Sequence, residues 1–106
     1  MDAKAVRAGL EQEPLLKRPA EQRIFTIDCS EVLQKHELIV AVTDVEAASG
    51  LTAQQARTRN GTSIEMLIGG GPVGSNQDYR DYPLLLTAQT TQGVLTMTIV
   101  VRSVKT

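Results

Sequence analysis

The sequence predicts an all-β domain, an antiparallel two-layered sandwich, on three observations. Short runs rich in Val, Ile, Leu and Thr alternate apolar with polar residues. Turn residues separate these runs at short intervals. No long helical stretch lies between them, so the crossovers that parallel strands require are missing.

The elements follow in order. Residues 23–28 place Phe25 and Ile27 on one face of an extended segment. Ser30 to Leu33 fits a single helical turn capped by Asp28 or Ser30. Leu38 to Val45 is a β-rich run bounded by polar residues. Leu51 to Arg57 is ambiguous, since Thr52 to Ala56 suits a helical turn or a short strand. The turn signal Asn60-Gly61 then opens Ser63 to Ile68, with Ile64, Met66 and Ile68 on one face. Gly69 to Asn76 has the most flexible composition of the chain and predicts a loop. Tyr82 to Thr91, the turn Gln92-Gly93 and Val94 to Val104 read as a hairpin. In its second arm Leu95, Met97, Ile99 and Val101 share one face, and Val94, Thr96, Thr98 and Val100 the other. The sum is about five to seven strands.

The chain of 106 residues fits one domain, divided here into an N-terminal arm (1–16) and a sandwich (17–106). Ala3, Val6 and Leu10 lie at roughly helical spacing in the arm, although Gly9 weakens a helix there and Pro14 ends it. Such an arm is either mobile or ordered by a neighbouring subunit. Aromatic residues are only 3% of the chain (Phe25, Tyr79 and Tyr82), so the core must be aliphatic. With 11 basic and 12 acidic residues, the chain lacks the basic excess of a nucleic-acid-binding domain. It also lacks a polybasic membrane-binding cluster and any apolar run of the roughly 20 residues that span a bilayer. The N-terminus reads as no signal peptide, so synthesis in the cytoplasm is expected. The single cysteine, Cys29, rules out an internal disulfide.

Few residues could carry chemistry. His36, the only histidine, lies in a polar stretch that reads as an exposed turn, which leaves no Ser-His-Asp triad. Cys29 ends a strand beside Asp28, whose carboxylate would raise the thiol pKa, so it reads as a structural cysteine. One His and one Cys make no zinc-type ligand set. Gly69 to Gly74 lacks the Lys-Ser/Thr ending of a phosphate-binding loop. Neither a catalytic group, a metal site nor a cofactor site is expected. Tyr79, Arg80 and Tyr82 are residue types enriched at protein interfaces and form the candidate docking surface, together with Val6 and Leu10 of the arm. Arg57 and Arg59 beside Asn60-Gly61 are a further candidate pair.

Several short motifs occur in a suggestive order: Lys17-Arg-Pro19, Phe25 to Asp28 with Ser30 and Leu33, Gly50-Leu-Thr52, Ile64 to Gly70, and Tyr82 to Thr91 with Gly93. Over residues 17–104 this order resembles a family of small immunoglobulin-like structural proteins of tailed phages, with Cys29 where the family pattern carries tryptophan. The resemblance implies an immunoglobulin- or fibronectin-like sandwich with no enzymatic activity and no cofactor. It implies a virion component, placed in the neck or head-to-tail region; synthesis in the host cytoplasm and assembly as a homo-oligomer are expected with it. The partners implied are other virion proteins (portal, adaptor, capsid or fibre), with neither nucleic acid nor membrane. Capsid decoration, or an adhesion or carbohydrate-binding module on a fibre, is the alternative; three aromatics offer little for sugar stacking.

Overall fold

The computed structural model describes residues 2–4 and 14–105, with the backbone alone at 2–4. These residues form strands and turns, and no helix occurs among them. The strands are β1 (Asp2–Lys4), β2 (Leu15–Lys17), β3 (Arg23–Asp28), β4 (Ile39–Ala47), β5 (Leu51–Arg59), β6 (Ser63–Gly70), β7 (Tyr79–Thr90) and β8 (Gly93–Val104). One sheet has the order β1-β3-β6-β5 and the other β2-β8-β7-β4. The two sheets close over an apolar core as a sandwich.

Alternation builds that core. Phe25 and Ile27 of β3 stand opposite Met66 and Ile64 of β6, and all four face inward. From the other sheet Leu84, Leu86 and Ala88 meet Leu95, Met97, Ile99 and Val101. Each fully buried Leu or Ile contributes about 1.5–3 kcal/mol relative to exposure.

The body of each sheet is antiparallel, as expected, but the two N-terminal edge strands are not. β1 pairs with β3 in parallel, and β2 pairs with β8 in parallel through Leu15, Leu16 and Lys17. The helical expectation around Ala3 is therefore corrected: Ala3 is in a strand, opposite Ile27. A helix interrupted by Gly9 and ended by Pro14 is too short to hold alone, whereas the edge of β3 offers main-chain partners. Val6 and Leu10 lie outside the described residues. Leu15 and Leu16, grouped with the arm by sequence, belong to β2, and Leu15 is in the core at 1% exposure.

Three further differences have local causes. β5 is a strand, and a bulge between Gln54 and Arg57, with Gln55 at φ 56°, breaks the alternation that would have revealed it. β6 continues through Gly69 and Gly70, which pair with Thr52 and Leu51, so the loop spans 71–78. β7 begins at Tyr79, three residues before the expected start. The turn after β3 forms as read: Val32 N and Leu33 N both donate to the Cys29 carbonyl, and Asp28 Oδ1 accepts from Ser30 N at 2.9 Å.

Candidate interaction surfaces

One end of the sandwich gathers the motifs that the sequence scatters. The Lys17 side chain points inward and its ammonium donates to the carbonyls of Arg18, Pro19 and Gly70, the last at 2.6 Å. Burial lowers its pKa from 10.5, opposed by the nearby Glu21 carboxylate. Ser103, the strand partner of Lys17, is also buried. With its three protons directed at carbonyls, Lys17 is no general base for that hydroxyl. Gly71 N donates to the Gly50 carbonyl at 2.8 Å. The Tyr82 hydroxyl donates to the Pro72 carbonyl. The loop 71–78 is thus tied to the β4–β5 turn and to β7, and Lys17 of β2 holds Gly70 just before it.

This tying decides which sequence candidates reach the surface. Tyr82 is corrected: it is buried in the core and does not form part of an exposed surface. Alternation requires this, since Tyr82, Leu84, Leu86 and Ala88 all point inward. Arg80 stands over the Tyr82 ring at 5.2 Å and covers it from outside. Tyr79 is 49% exposed. The Arg102 guanidinium lies 4.3 Å from the Tyr79 ring centre while pairing with both Asp81 oxygens at 2.8 and 3.1 Å. That pairing holds the Asp81 carboxyl below its usual 3.8. Exposed Leu16 is the strand neighbour of Arg102. The result is an aromatic and cationic outer surface of Tyr79, Arg102 and Leu16, flanked at the strand end by Arg80, which lies on the Tyr82 side of the sheet. Arg102 and Leu16 were not singled out by sequence. Their strand partners, Asp81 and Arg102, are remote in the chain, and no local pattern links them.

The other sheet carries a second surface. The β5 bulge shifts the inward–outward parity, so that Ala56 packs toward the core while Arg57 and Arg59 point outward. Without it the arginines would face inward. Glu65 of β6 lies between them, accepting from Arg57 Nε at 3.0 Å and from Arg59 Nη1 at 2.8 Å. Its side chain is 10% exposed, against 73% and 63% for the arginines. Hydrogen bonds from Arg57 and then Arg59 hold the Glu65 carboxyl below its usual 4.5, against a smaller opposing effect of burial.

The residues weighed for chemistry stay apart. His36 sits in an exposed turn at φ 65°. Cys29 is buried, and burial, with a smaller push from Asp28, raises its thiol to about 12. The glycine loop closes as a turn in which Gln77 N donates to the Gly74 carbonyl. No group of three or more metal-ligating side chains occurs among the described residues.

Residues 17–102 match the family described as Podophage GP4 fiber-tail adaptor protein gp77. The chain belongs to this family. The match begins at Lys17, where the resemblance of the sequence also begins. No curated protein and no solved structure matches the chain. Membership in a phage tail adaptor family makes it a structural component of the virion, in contact with other virion proteins.

Proposed function

We propose that the chain works without catalysis, in several copies, as an immunoglobulin-like module that joins fibre to tail in a short-tailed phage particle. The observation that carries this reading is the family match over residues 17–102, whose description names a fibre–tail adaptor. In this reading the chain sits at the junction of tail and fibre rather than at the neck.

The immunoglobulin-like assignment is supported by topology. The strand orders β1-β3-β6-β5 and β2-β8-β7-β4 follow the A-B-E-D and G-F-C orders of a constant-type domain, except that β1 runs parallel to β3 and β2 is an added parallel edge strand beside β8. A tyrosine near the start of the F strand, bonded back to backbone upstream, is a hallmark of such sandwiches. Tyr82 near the start of β7, donating to the Pro72 carbonyl, fits that description. A carbohydrate-binding role is disfavoured because Phe25 and Tyr82 are buried, leaving Tyr79 as the one exposed aromatic.

In this reading the outer face of Tyr79, Arg102 and Leu16, with Arg80 at its strand end, docks on a virion neighbour. A loop and strands held in place before binding lose little conformational freedom on docking. The decisive experiment is a phage in which the gene is disrupted. Particles with a tail but without fibres, restored by the gene in trans, are expected. Particles that retain their fibres would overturn the proposal.

A further inference from the structure

Two exposed charged pairs, one cationic on β5 and one anionic on β4, stand on the outer faces of the two sheets at the same spacing. Arg57 and Arg59 project from the outer face of β5, two residues apart on an extended strand. Asp44 and Glu46 project from the outer face of β4 with the same separation, while Val45 and Ala47 between and beyond them pack toward the core. Two residues along a strand span about 7 Å, so both pairs have one repeat. Asp44 and Glu46 are exposed and make no ion pair among the described residues. The arginines, although shared with Glu65, retain free donors on their solvent side.

The backbone argues against direct strand pairing along this edge. β4 has register shifts between Ile39 and Ala41 and between Val42 and Asp44, and β5 has its own between Gln54 and Arg57. Bulges of this kind blunt an edge strand against another chain. A contact here is therefore made by side chains on the sheet faces.

We propose that the occupant is a second copy of this chain: the Arg57–Glu65–Arg59 face of one copy meets the Asp44–Glu46 face of the next. The two patches lie on opposite faces of the sandwich, so the contact is head-to-tail. Repeated with rotation, it generates a ring. The partner is argued from charge complementarity, because one surface presents two arginines bridged by a single carboxylate where the other presents two carboxylates without an ion pair among the described residues, at the same repeat. This inference rests on the multi-copy adaptor reading above and names the contact between copies.

The test inverts each patch within the phage. Asp44→Arg with Glu46→Arg inverts the acidic pair at exposed positions. Arg57→Glu with Glu65→Arg and Arg59→Glu inverts the triad while preserving its internal pairing, and thermal unfolding of the purified chains checks that both variants fold. Each inversion alone is expected to lower the yield of fibre-bearing particles about a hundredfold, since like charges then face one another. The combination of both is expected to restore the yield. If either folded inversion is silent, or if the combination fails to rescue, the self-contact is overturned. Loss with the triad inversion alone assigns the arginines to a different virion protein and also overturns it. These outcomes are distinct from failure of the adaptor reading, in which disruption of the whole gene leaves fibres attached.

Discussion

The Lys17 ammonium donates to the Gly70 carbonyl at 2.6 Å, joining the start of the family match to the glycine turn that ends β6. The same ammonium serves the Arg18 and Pro19 carbonyls. Lys17→Met keeps most of the stem but leaves these carbonyls without their donor. An unsatisfied buried polar group costs about 1–3 kcal/mol, so a loss of unfolding free energy of that order, read as a lower urea midpoint at unchanged slope, is expected. An unchanged midpoint would show that the lysine is dispensable to this end of the sandwich.

Gly70 and Gly93 both have positive φ, at 71° and 146°, but their surroundings differ. A Cβ at Gly70 would lie 2.5 Å from the Gly50 carbonyl oxygen, whereas one at Gly93 meets nothing within 4 Å. Gly93→Ala therefore carries backbone strain alone, about 1 kcal/mol. Gly70→Ala adds a backbone clash in a tied turn and should cost about 3 kcal/mol. Calorimetric unfolding of the two variants measures the difference. Equal losses would contradict the close approach of β6 to the β4–β5 turn.

Most of the sandwich was legible because alternation is a local signal. Phe25 and Ile27, Ile64 to Ile68, and Leu95 to Val101 each declare an inward face within a few residues. β5 was not legible, because its bulge reverses parity between Ala53 and Ala56, so that no single alternation runs through it. Leu15 was hidden by the brevity of β2, and Lys17 because a buried charge defies the pattern until its carbonyl partners are known. At the surface, Tyr79 and Arg80 were readable as residue types. The ion pairs of Arg102 with Asp81 and of Arg57 and Arg59 with Glu65 are cross-strand, and strand register is the information a lone sequence lacks.

Acid should expose the contribution of Glu65. Its folded pKa lies below the ordinary 4.5, so the folded state holds its carboxylate more firmly than the unfolded chain does. The contribution is therefore fully present above pH 4.5 and is lost as pH falls through the depressed value. Glu65→Gln should flatten this part of the stability profile, measured by urea unfolding at a series of pH values. Parallel profiles for the two proteins would remove the arginine clamp as a source of stability.

Cys29 is buried, its thiol is pushed up to about 12, and its sulfur faces the Ile27 carbonyl at 3.6 Å. The thiolate is the reactive form, so both its population and its accessibility are suppressed. A thiol reagent such as Ellman's should leave the native protein unmodified at pH 8 and titrate one group once guanidinium unfolds it. Prompt reaction of the native chain would place Cys29 in a different environment.

Tyr79 and Tyr82 separate docking from folding within one short stretch of β7. Tyr82→Phe removes the donor to the Pro72 carbonyl inside the molecule and should cost about 1–2 kcal/mol of stability. Tyr79→Ala removes an exposed ring that touches the Arg102 guanidinium, and with Arg80→Ala it strips the proposed docking surface. Surface changes of this kind move stability by only about 0.5 kcal/mol. Truncation of an aromatic or arginine anchor at an interface costs about 2 kcal/mol or more of binding. The double variant should therefore unfold near the wild-type temperature while fibre-bearing particles fall at least about tenfold. Tyr82→Phe should show the reverse, a lower melting temperature with fibres retained at the growth temperature. If the double variant assembles normally, the docking surface lies elsewhere on the sandwich, and the Tyr79 and Arg102 pair is surface structure without a partner.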